Sequence, residues 1–275
     1  MPDSLQPVPA VLERIHPMVE DNHVFTFIPD LPFNVAPGQF YEVSLPGVGS
    51  FPVSTCHPVV NGRIESCIRR VGRVTDALYR MTPGARLGLR GAFGNGFDLE
   101  LFAERDVLMI AGGLGMAPLR ALLMALLVDE QRSGRIVLLY GSREPKALLF
   151  REELVELART KRIELRFSVD FAADLQGPFS GVACRIGLVN ELLDDLKFEP
   201  QQTVAAVCGP PALYGCILDE LSATGIPENR ILVTLERRMR CGIGECCHCV
   251  AAGCYICRDG PVFSLAELRL MPGAI

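Results

Sequence analysis

The sequence has no excess of positive charge. Its 27 Lys and Arg stand against 32 Asp and Glu, a formal net charge of −5, and a phosphate backbone calls for a clustered basic surface. Nucleic acid is therefore not expected as a partner. Long apolar runs are missing too. The longest, residues 121–128, is broken by Arg120 and Asp129, well short of the roughly 20 residues a membrane helix needs. The first fifteen residues, MPDSLQPVPAVLERI, lack the basic start and apolar core of a secretory signal, so a cytoplasmic location is expected. Only four histidines occur (His16, His23, His57 and His248), and their spacing matches no metal site. No internal repeat or low-complexity segment is visible. With 49% hydrophobic and 21% charged residues, 275 residues are enough for about two globular domains and a small extra module.

Cysteine is what the chain has in quantity. Six of its eleven cysteines lie within residues 241–257, CGIGECCHCVAAGCYIC, a clustering that thiolate chemistry explains better than packing. Cys241, Cys246, Cys249 and Cys257 give C-x4-C-x2-C-x7-C, which begins as plant-type 2Fe-2S ferredoxin spacing does. Gly242 and Gly244 would let the backbone wrap an inorganic core and aim N–H groups at its sulfurs. Zinc is the competing reading, because Cys246-x2-Cys249 and Cys254-x2-Cys257 are two CxxC knuckles, although four intervening residues are short for a ribbon. Disulfides are a third, and are rare in the cytosol. Cys247 and Cys254 are then spare small hydrophobes, and His248 either faces a cluster sulfur or solvent.

Ahead of this segment the rhythm changes once. Short β-like runs at 8–15, 23–28, 39–45, 63–69 and 86–90 are separated by turn residues such as Pro37-Gly38, Asn61-Gly62 and Pro83-Gly84, with one short helix at 75–81. This pattern predicts a small antiparallel β-barrel, and Asn61-Gly62 predicts a hairpin turn. From Asp106 onward, strands (107–111, 136–140, 163–169, 204–208, 231–235) alternate with helices (118–130, 148–160, 188–196, 212–224). Alternation of that kind predicts a doubly wound parallel sheet whose ligand sits at the carboxyl ends of its strands. The Gly/Pro-marked stretch 173–181 receives no function. The expected domains are 1–99, 100–230 and 231–275.

Two glycine-rich turns end strands of the predicted parallel sheet. Gly112-Gly113-Leu114-Gly115, leading through Met116 and Ala117 to Pro118, joins a strand to a helix and would let backbone N–H groups approach a pyrophosphate. Tight strand-to-helix packing asks for glycine as well. Cys208-Gly209-Pro210-Pro211 would open on the same edge.

A barrel with a Ser-Thr pair after a proline, then AGGLGMAP, YGSR and CGPP, resembles the ferredoxin-NADP reductase superfamily. Within it, ERRMRCGIGECCHC followed by ICRDGPVF resembles the FAD and 2Fe-2S electron-transfer subunits: the gamma subunit of sulfhydrogenases, the B subunit of anaerobic sulfite reductase and the electron-transfer subunit of dihydroorotate dehydrogenase. The likeness spans nearly the whole chain. Its cysteine segment and DGPVF sequel are the most specific part and favour iron–sulfur over zinc.

The resemblance implies an FAD-binding barrel, an NAD(P)-binding α/β domain and a C-terminal cluster module. It implies that Phe51-Pro52-Val53-Ser54 lines the flavin, with Ser54 bonded to its reactive nitrogen. Phe51 stands where the superfamily has a pyrophosphate-binding arginine, and Val53 where it has a stacking tyrosine. Arg69, Arg70 and Arg73 are candidates to replace that charge, and Gly72-Arg73-Val74-Thr75 matches the family's phosphate turn. Gly91-Ala92-Phe93-Gly94-Asn95-Gly96-Phe97 matches a junction between domains, its phenylalanines either bordering the flavin or packing in a core. Gly141-Ser142-Arg143 matches the loop that meets the adenosine end of NAD(P)H, and Cys208 would position the nicotinamide. The expected activity is electron transfer between NAD(P)H, FAD, the cluster and a partner redox subunit of hydrogenase or sulfite reductase type. A zinc-stabilised nucleotide-binding regulatory subunit and a stand-alone flavin reductase are the alternatives.

Overall fold

The computed structural model describes residues 6–128, 134–172, 179 and 181–274. It divides into two compact units: residues 1–97, 120–125 and 235–262, and residues 98–119, 126–234 and 263–275.

The first unit is built on β1 (Val8–Val19), β2 (Asn22–Pro29), β3 (Phe40–Leu45), β4 (Gly49–Ser54), β5 (Ile64–Arg69), helix α1 (Arg73–Tyr79) and β6 (Arg86–Phe93). The strands form an antiparallel sheet in the order β4-β3-β6-β1-β2-β5. Hydrogen bonds join the two ends of that order: Cys56 N donates to the Glu65 carbonyl (2.8 Å) and Ser66 Oγ to the Ser54 carbonyl (2.7 Å). Alternation along the strands turns Leu12, Phe25, Phe27, Tyr41, Val43, Ile64 and Leu89 into one core, each fully buried side chain worth roughly 1.5–3 kcal/mol. At the predicted hairpin, Asn61 and Gly62 take φ of 52° and 73° between bridged Val60 and Arg63, the left-handed pair such a two-residue turn needs.

Strand β4 is absent from the sequence reading because it ends the sheet order and stays largely exposed. Exposure removes the alternation signal, and an edge position tolerates Pro52.

The second unit carries β7 (Asp106–Gly112), α2 (Met116–Val128), β8 (Ile136–Ser142), α3 (Arg151–Arg159), β9 (Glu164–Val169), β10 (Ala183–Ile186), β11 (Thr203–Cys208), α4 (Pro211–Ala223) and β12 (Ile231–Thr234). Residues 120–125 of α2 group with the first unit. After the cysteine segment, with β13 (Val250–Ala251), β14 (Cys254–Tyr255) and α5 (Ile256–Asp259), come β15 (Val262–Ser264) and α6 (Leu265–Arg269). The sheet order is β10-β9-β8-β7-β11-β12-β15, parallel from β10 through β12. The order reverses between β7 and β11, the switch point at which doubly wound sheets take ligands.

The helix predicted over 188–196 is a single 3-10 turn, Val189–Leu192. Val189 and Leu192, three residues apart, bury together, and so short an apolar run does not sustain α-helical propagation. The predicted Glu130 end of α2, most of the 173–181 stretch and the first five residues lie outside the described residues.

Candidate cofactor and electron-transfer site

At the switch point the turns after β7 and β11 are pressed together. Cys208 is in register with Ala111. A Cβ at Gly115 would stand 2.2 Å from the Cys208 carbonyl oxygen and 2.7 Å from Gly209 N, and one at Gly209 would meet Gly112 Cα at 3.1 Å. Gly113 takes φ of 53°, and its carbonyl accepts from the Tyr140 hydroxyl (3.0 Å), which in turn accepts from Leu149 N (3.0 Å). Leu114 is exposed, whereas Pro118, two residues into α2, is buried. Glycines thus let the two turns close on one another at the start of a 13-residue helix, whose first backbone N–H groups suit an anionic nucleotide.

Cys208 itself is 1% exposed. Pro210 precedes α4, and Gly209 N donates to the Tyr214 hydroxyl (3.2 Å), which donates to the Thr234 carbonyl (2.5 Å). On the neighbouring strand Gly141 lies opposite Gly112, and a Cβ there would meet Val189 Cβ at 2.9 Å. Ser142 is buried and its hydroxyl donates to the Glu144 carbonyl (3.4 Å). Arg143 is exposed, so of the two polar residues in the loop matched to the adenosine end, the arginine is the one open to solvent.

In the first unit, Pro52 is exposed and Val53 and Ser54 are half-buried along β4. Ser54 is held from behind: its carbonyl accepts from Ser66 Oγ, which lies 2.6 Å from the buried Tyr41 hydroxyl. Burial pushes the Tyr41 phenol well above its ordinary range, which keeps it neutral. Arg120, 8% exposed, donates to the Cys56 carbonyl (2.7 Å) and stands 3.8 Å from Glu65. Arg69 and Arg73 are exposed, while Arg70 is paired with Asp76 (2.7 Å) over the Tyr79 ring. Thr75 Oγ1 accepts from Val71 N and Gly72 N (3.0 Å each) and donates to the Gly72 carbonyl. Its hydroxyl thus shapes the turn from within, and Val74 packs beside Gly49.

The cysteine segment shares this unit. Gly242 and Gly244 have φ of 75° and 80°, turning the backbone inward. Gly244 N donates to Cys257 Sγ (3.2 Å), and the N–H groups of Glu245 and Cys246 to Cys241 Sγ (3.4 Å each). Thiol contacts link Cys246 with Cys241 and Cys249 with Cys257. Backbone N–H groups, that of His248 first, hold the Cys246 thiol down at about 7, whereas burial pushes Cys257 up to about 12. Cys247 is exposed and lies 3.6 Å from the Tyr255 hydroxyl, outside that set. His248 is exposed, its Nδ1 2.9 Å from the Cys246 carbonyl. Among the described residues no three His, Cys, Asp or Glu side chains converge on a single ion. Four thiols in two linked pairs, with N–H donors already aimed at sulfur, are a donor set that suits an iron–sulfur core.

Two motifs that look independent in the sequence grip one another here. Asn95 N donates to the Gly260 carbonyl (2.6 Å), and its amide donates to the carbonyls of Val262 (2.7 Å) and Asp259 (3.2 Å) and accepts from Val262 N (3.2 Å). A Cβ on Gly94, whose φ is 80°, would meet Pro261 Cδ at 2.5 Å. Phe93 packs against Phe40 (centroids 5.6 Å apart) and lies so close to Gly242 that a Cβ there would meet its ring at 2.8 Å. The GAFGNGF stretch therefore anchors the segment after the cysteines, a role the sequence reading did not assign to it. Arg90, which that reading passed over, donates to the Cys241 carbonyl (2.7 Å); a lone arginine in a strand carries no motif by which to find it.

Taken together, a nucleotide-binding switch point and a thiol loop seated on an antiparallel sheet define an iron–sulfur oxidoreductase of the ferredoxin-NADP reductase type of fold. The pattern described as "Oxidoreductase NAD-binding domain" matches residues 109–219, and that of the "Iron-sulfur cluster binding domain of dihydroorotate dehydrogenase B" matches residues 236–269. A chain of an NADH-dependent reduced ferredoxin-NADP oxidoreductase superposes with a TM-score of 0.73 at 23% identity, over 94% of this chain and 88% of that one. The sulfhydrogenase 2 gamma subunit of Pyrococcus furiosus is 39% identical over 255 residues, 88% of each chain. The probable dihydroorotate dehydrogenase B electron transfer subunit of Methanothermobacter thermautotrophicus is 35% identical over 268 residues, 95% of this chain and 91% of that one. The chain belongs to the family of these electron-transfer subunits. No helix among its described residues is long and apolar enough to cross a membrane.

Proposed function

We propose that the protein is the diaphorase-type subunit of a cytoplasmic redox complex, carrying electrons between NAD(P)H and a partner subunit by way of FAD and a 2Fe-2S cluster. The partner is of hydrogenase or sulfite reductase type. The observation that carries this reading is that the thiol loop and the β4 wall belong to one compact unit, with Arg90, Phe93 and Asn95 tying the loop to the sheet. When bound, FAD would exchange a hydride with the nicotinamide and single electrons with the cluster.

The chain's own residues provide placement. Cys241, Cys246, Cys249 and Cys257 hold the cluster. Pro52, Val53 and Ser54 line the flavin, with Ser54 facing its reactive nitrogen. The exposed Arg69 and Arg73, with Gly72, Val74 and Thr75 shaping the turn, take its phosphates in place of the arginine missing at Phe51. Gly112, Gly113, Leu114, Gly115 and Pro118 form the pyrophosphate turn of NAD(P)H, Cys208, Gly209 and Pro210 seat the nicotinamide, and Gly141, Ser142 and Arg143 border the adenosine. Functionally, residues 1–99 serve the flavin, 100–230 the nicotinamide cofactor and 231–275 the cluster.

The test is an absorption spectrum with metal analysis of anaerobically purified protein. Flavin bands over broad iron–sulfur absorption, two irons per chain and bleaching of both chromophores by NAD(P)H are expected. Colourless protein with stoichiometric zinc would refute the proposal.

A further inference from the structure

Arg90 and Glu42 are direct cross-strand partners in the β3/β6 ladder, and both are nearly buried, with side-chain exposures of 11% and 12%. Arg90 Nε and Nη2 bond the same Glu42 carboxylate oxygen, the former at 2.8 Å. Its remaining nitrogen, Nη1, leaves the pair and donates to the carbonyl of Cys241 at 2.7 Å, while Nη2 also reaches the Arg240 carbonyl at 3.3 Å. The guanidinium lies over the Phe93 ring (5.0 Å), and the same ring supports Gly242. On the other side of Glu42, the Ser50 hydroxyl of β4 donates to its second oxygen. A continuous hydrogen-bond chain thus runs from β4, the strand ending in Val53 and Ser54, through Glu42 and Arg90 to the backbone of the first cysteine of the cluster loop.

A partly buried ion pair contributes little stability for its desolvation cost, so its place across β3 and β6, with Arg90 gripping the cysteine loop, calls for another reason. Resting on the reading that the four cysteines hold an iron–sulfur cluster, we propose that Arg90 is a positioning residue that seats the cluster loop and that the Arg90–Glu42 pair sets the cluster's reduction potential. The physics is signed. Each electron the cluster accepts adds one negative charge to it, which a neighbouring cation favours and a neighbouring anion opposes. In the pair the two effects nearly cancel at a distance, while the fork to the carbonyls of Arg240 and Cys241 fixes where the loop sits. Removing either partner uncovers the other's charge in a site of reduced dielectric.

The test is a redox titration of the cluster in the full-length, cofactor-loaded protein, followed by its paramagnetic signal, for Arg90→Gln, Glu42→Gln, the double variant and Arg90→Lys. Arg90→Gln leaves the Glu42 carboxylate uncompensated and lowers the midpoint. Glu42→Gln leaves the guanidinium uncompensated and raises it. Each shift is expected to be about tenfold in the one-electron equilibrium, or about 59 mV. The double variant returns toward wild type, and Arg90→Lys keeps the wild-type potential with a broadened signal, because lysine carries the charge without the fork. If Arg90→Gln fails to hold a cluster, the upward shift of Glu42→Gln, whose side chain still accepts from Arg90, decides the matter. Shifts of the same sign in both single variants, or no shift, would overturn the proposal, since mere loosening of the loop acts alike on both. A wild-type chain with no iron–sulfur spectrum would instead remove the cluster reading on which the proposal rests.

Discussion

Gly115 is the position at which a single methyl group should be felt most. An alanine Cβ there would lie 2.2 Å from the Cys208 carbonyl oxygen, 2.5 Å from the carbonyl carbon and 2.7 Å from Gly209 N, all of them backbone. Ordinary contact begins at about 3.4 Å, so the turns after β7 and β11 must part by roughly 1 Å. No rotamer change relieves this clash, and the strands it pushes on are held in register from Thr203–Asp106 to Cys208–Ala111. Overpacking of this kind costs about 1–3 kcal/mol. A cost near 2 kcal/mol corresponds to a fall of roughly 4–8 °C in Tm for a domain of this size. Parting the turns also misplaces the N–H groups at the start of α2, and a loss of about 1.4 kcal/mol there is tenfold in NAD(P)H affinity. Differential scanning calorimetry and a nucleotide-binding isotherm measure the two effects. Gly215→Ala is the control: nothing lies within 4 Å of its Cβ, and in the middle of α4 alanine should stabilise by roughly 0.5–1 kcal/mol. A Gly115→Ala protein with wild-type Tm and wild-type affinity would refute the close-packed switch point.

Three further outcomes follow from other parts of the structure. Arg120→Ala removes the buried donor to the Cys56 carbonyl and should cost about 1–3 kcal/mol in urea unfolding, with Arg120→Met recovering only the packing share. His23 stacks on Tyr79 (4.5 Å), and burial, assisted by the charge of His16, holds its pKa below 6.5. A depressed folded value means that the unfolded chain takes the proton first. The contribution of His23 is therefore complete above pH 6.5 and is lost as pH falls through its folded value, so the urea midpoint of His23→Gln should change less than that of wild type between pH 8 and 5. Cys249→Ser should abolish the cluster's paramagnetic signal after reduction while NAD(P)H still bleaches the flavin; loss of both responses would mean that the two sites cannot be separated.

Local chemistry made much of this legible beforehand. Asn61-Gly62 announced its turn because few residues accept two successive left-handed conformations, and the β7 turn announced itself because Gly115 has backbone where a Cβ would go. The thiol spacing marked residues 241–257 as one reactive segment, and there Cys246 contacts Cys241 and Cys249 contacts Cys257. What sequence did not disclose was the pairing of distant segments. Nothing local in Gly94-Asn95 says that its partner is Gly260-Pro261, 164 or more residues away. Arg90 looks like an ordinary strand arginine until Glu42 and the Cys241 carbonyl appear around it. Gly141-Ser142-Arg143 was legible only as a loop for the adenosine end of the cofactor; that the Ser142 hydroxyl donates to the Glu144 carbonyl was not. Edge strands β4 and β10, exposed and short, lack the periodicity that burial imposes.

On the proposed function, electrons pass through the flavin to the cysteine loop. Rapid mixing of the anaerobic, fully loaded protein with NAD(P)H, with samples frozen at intervals, tests it most directly. Flavin absorbance is expected to fall first, and a cluster signal with one unpaired electron to grow as the reduced flavin gives up one electron. A cluster that stays oxidised beside fully reduced flavin, or one reduced with no flavin change, would contradict it.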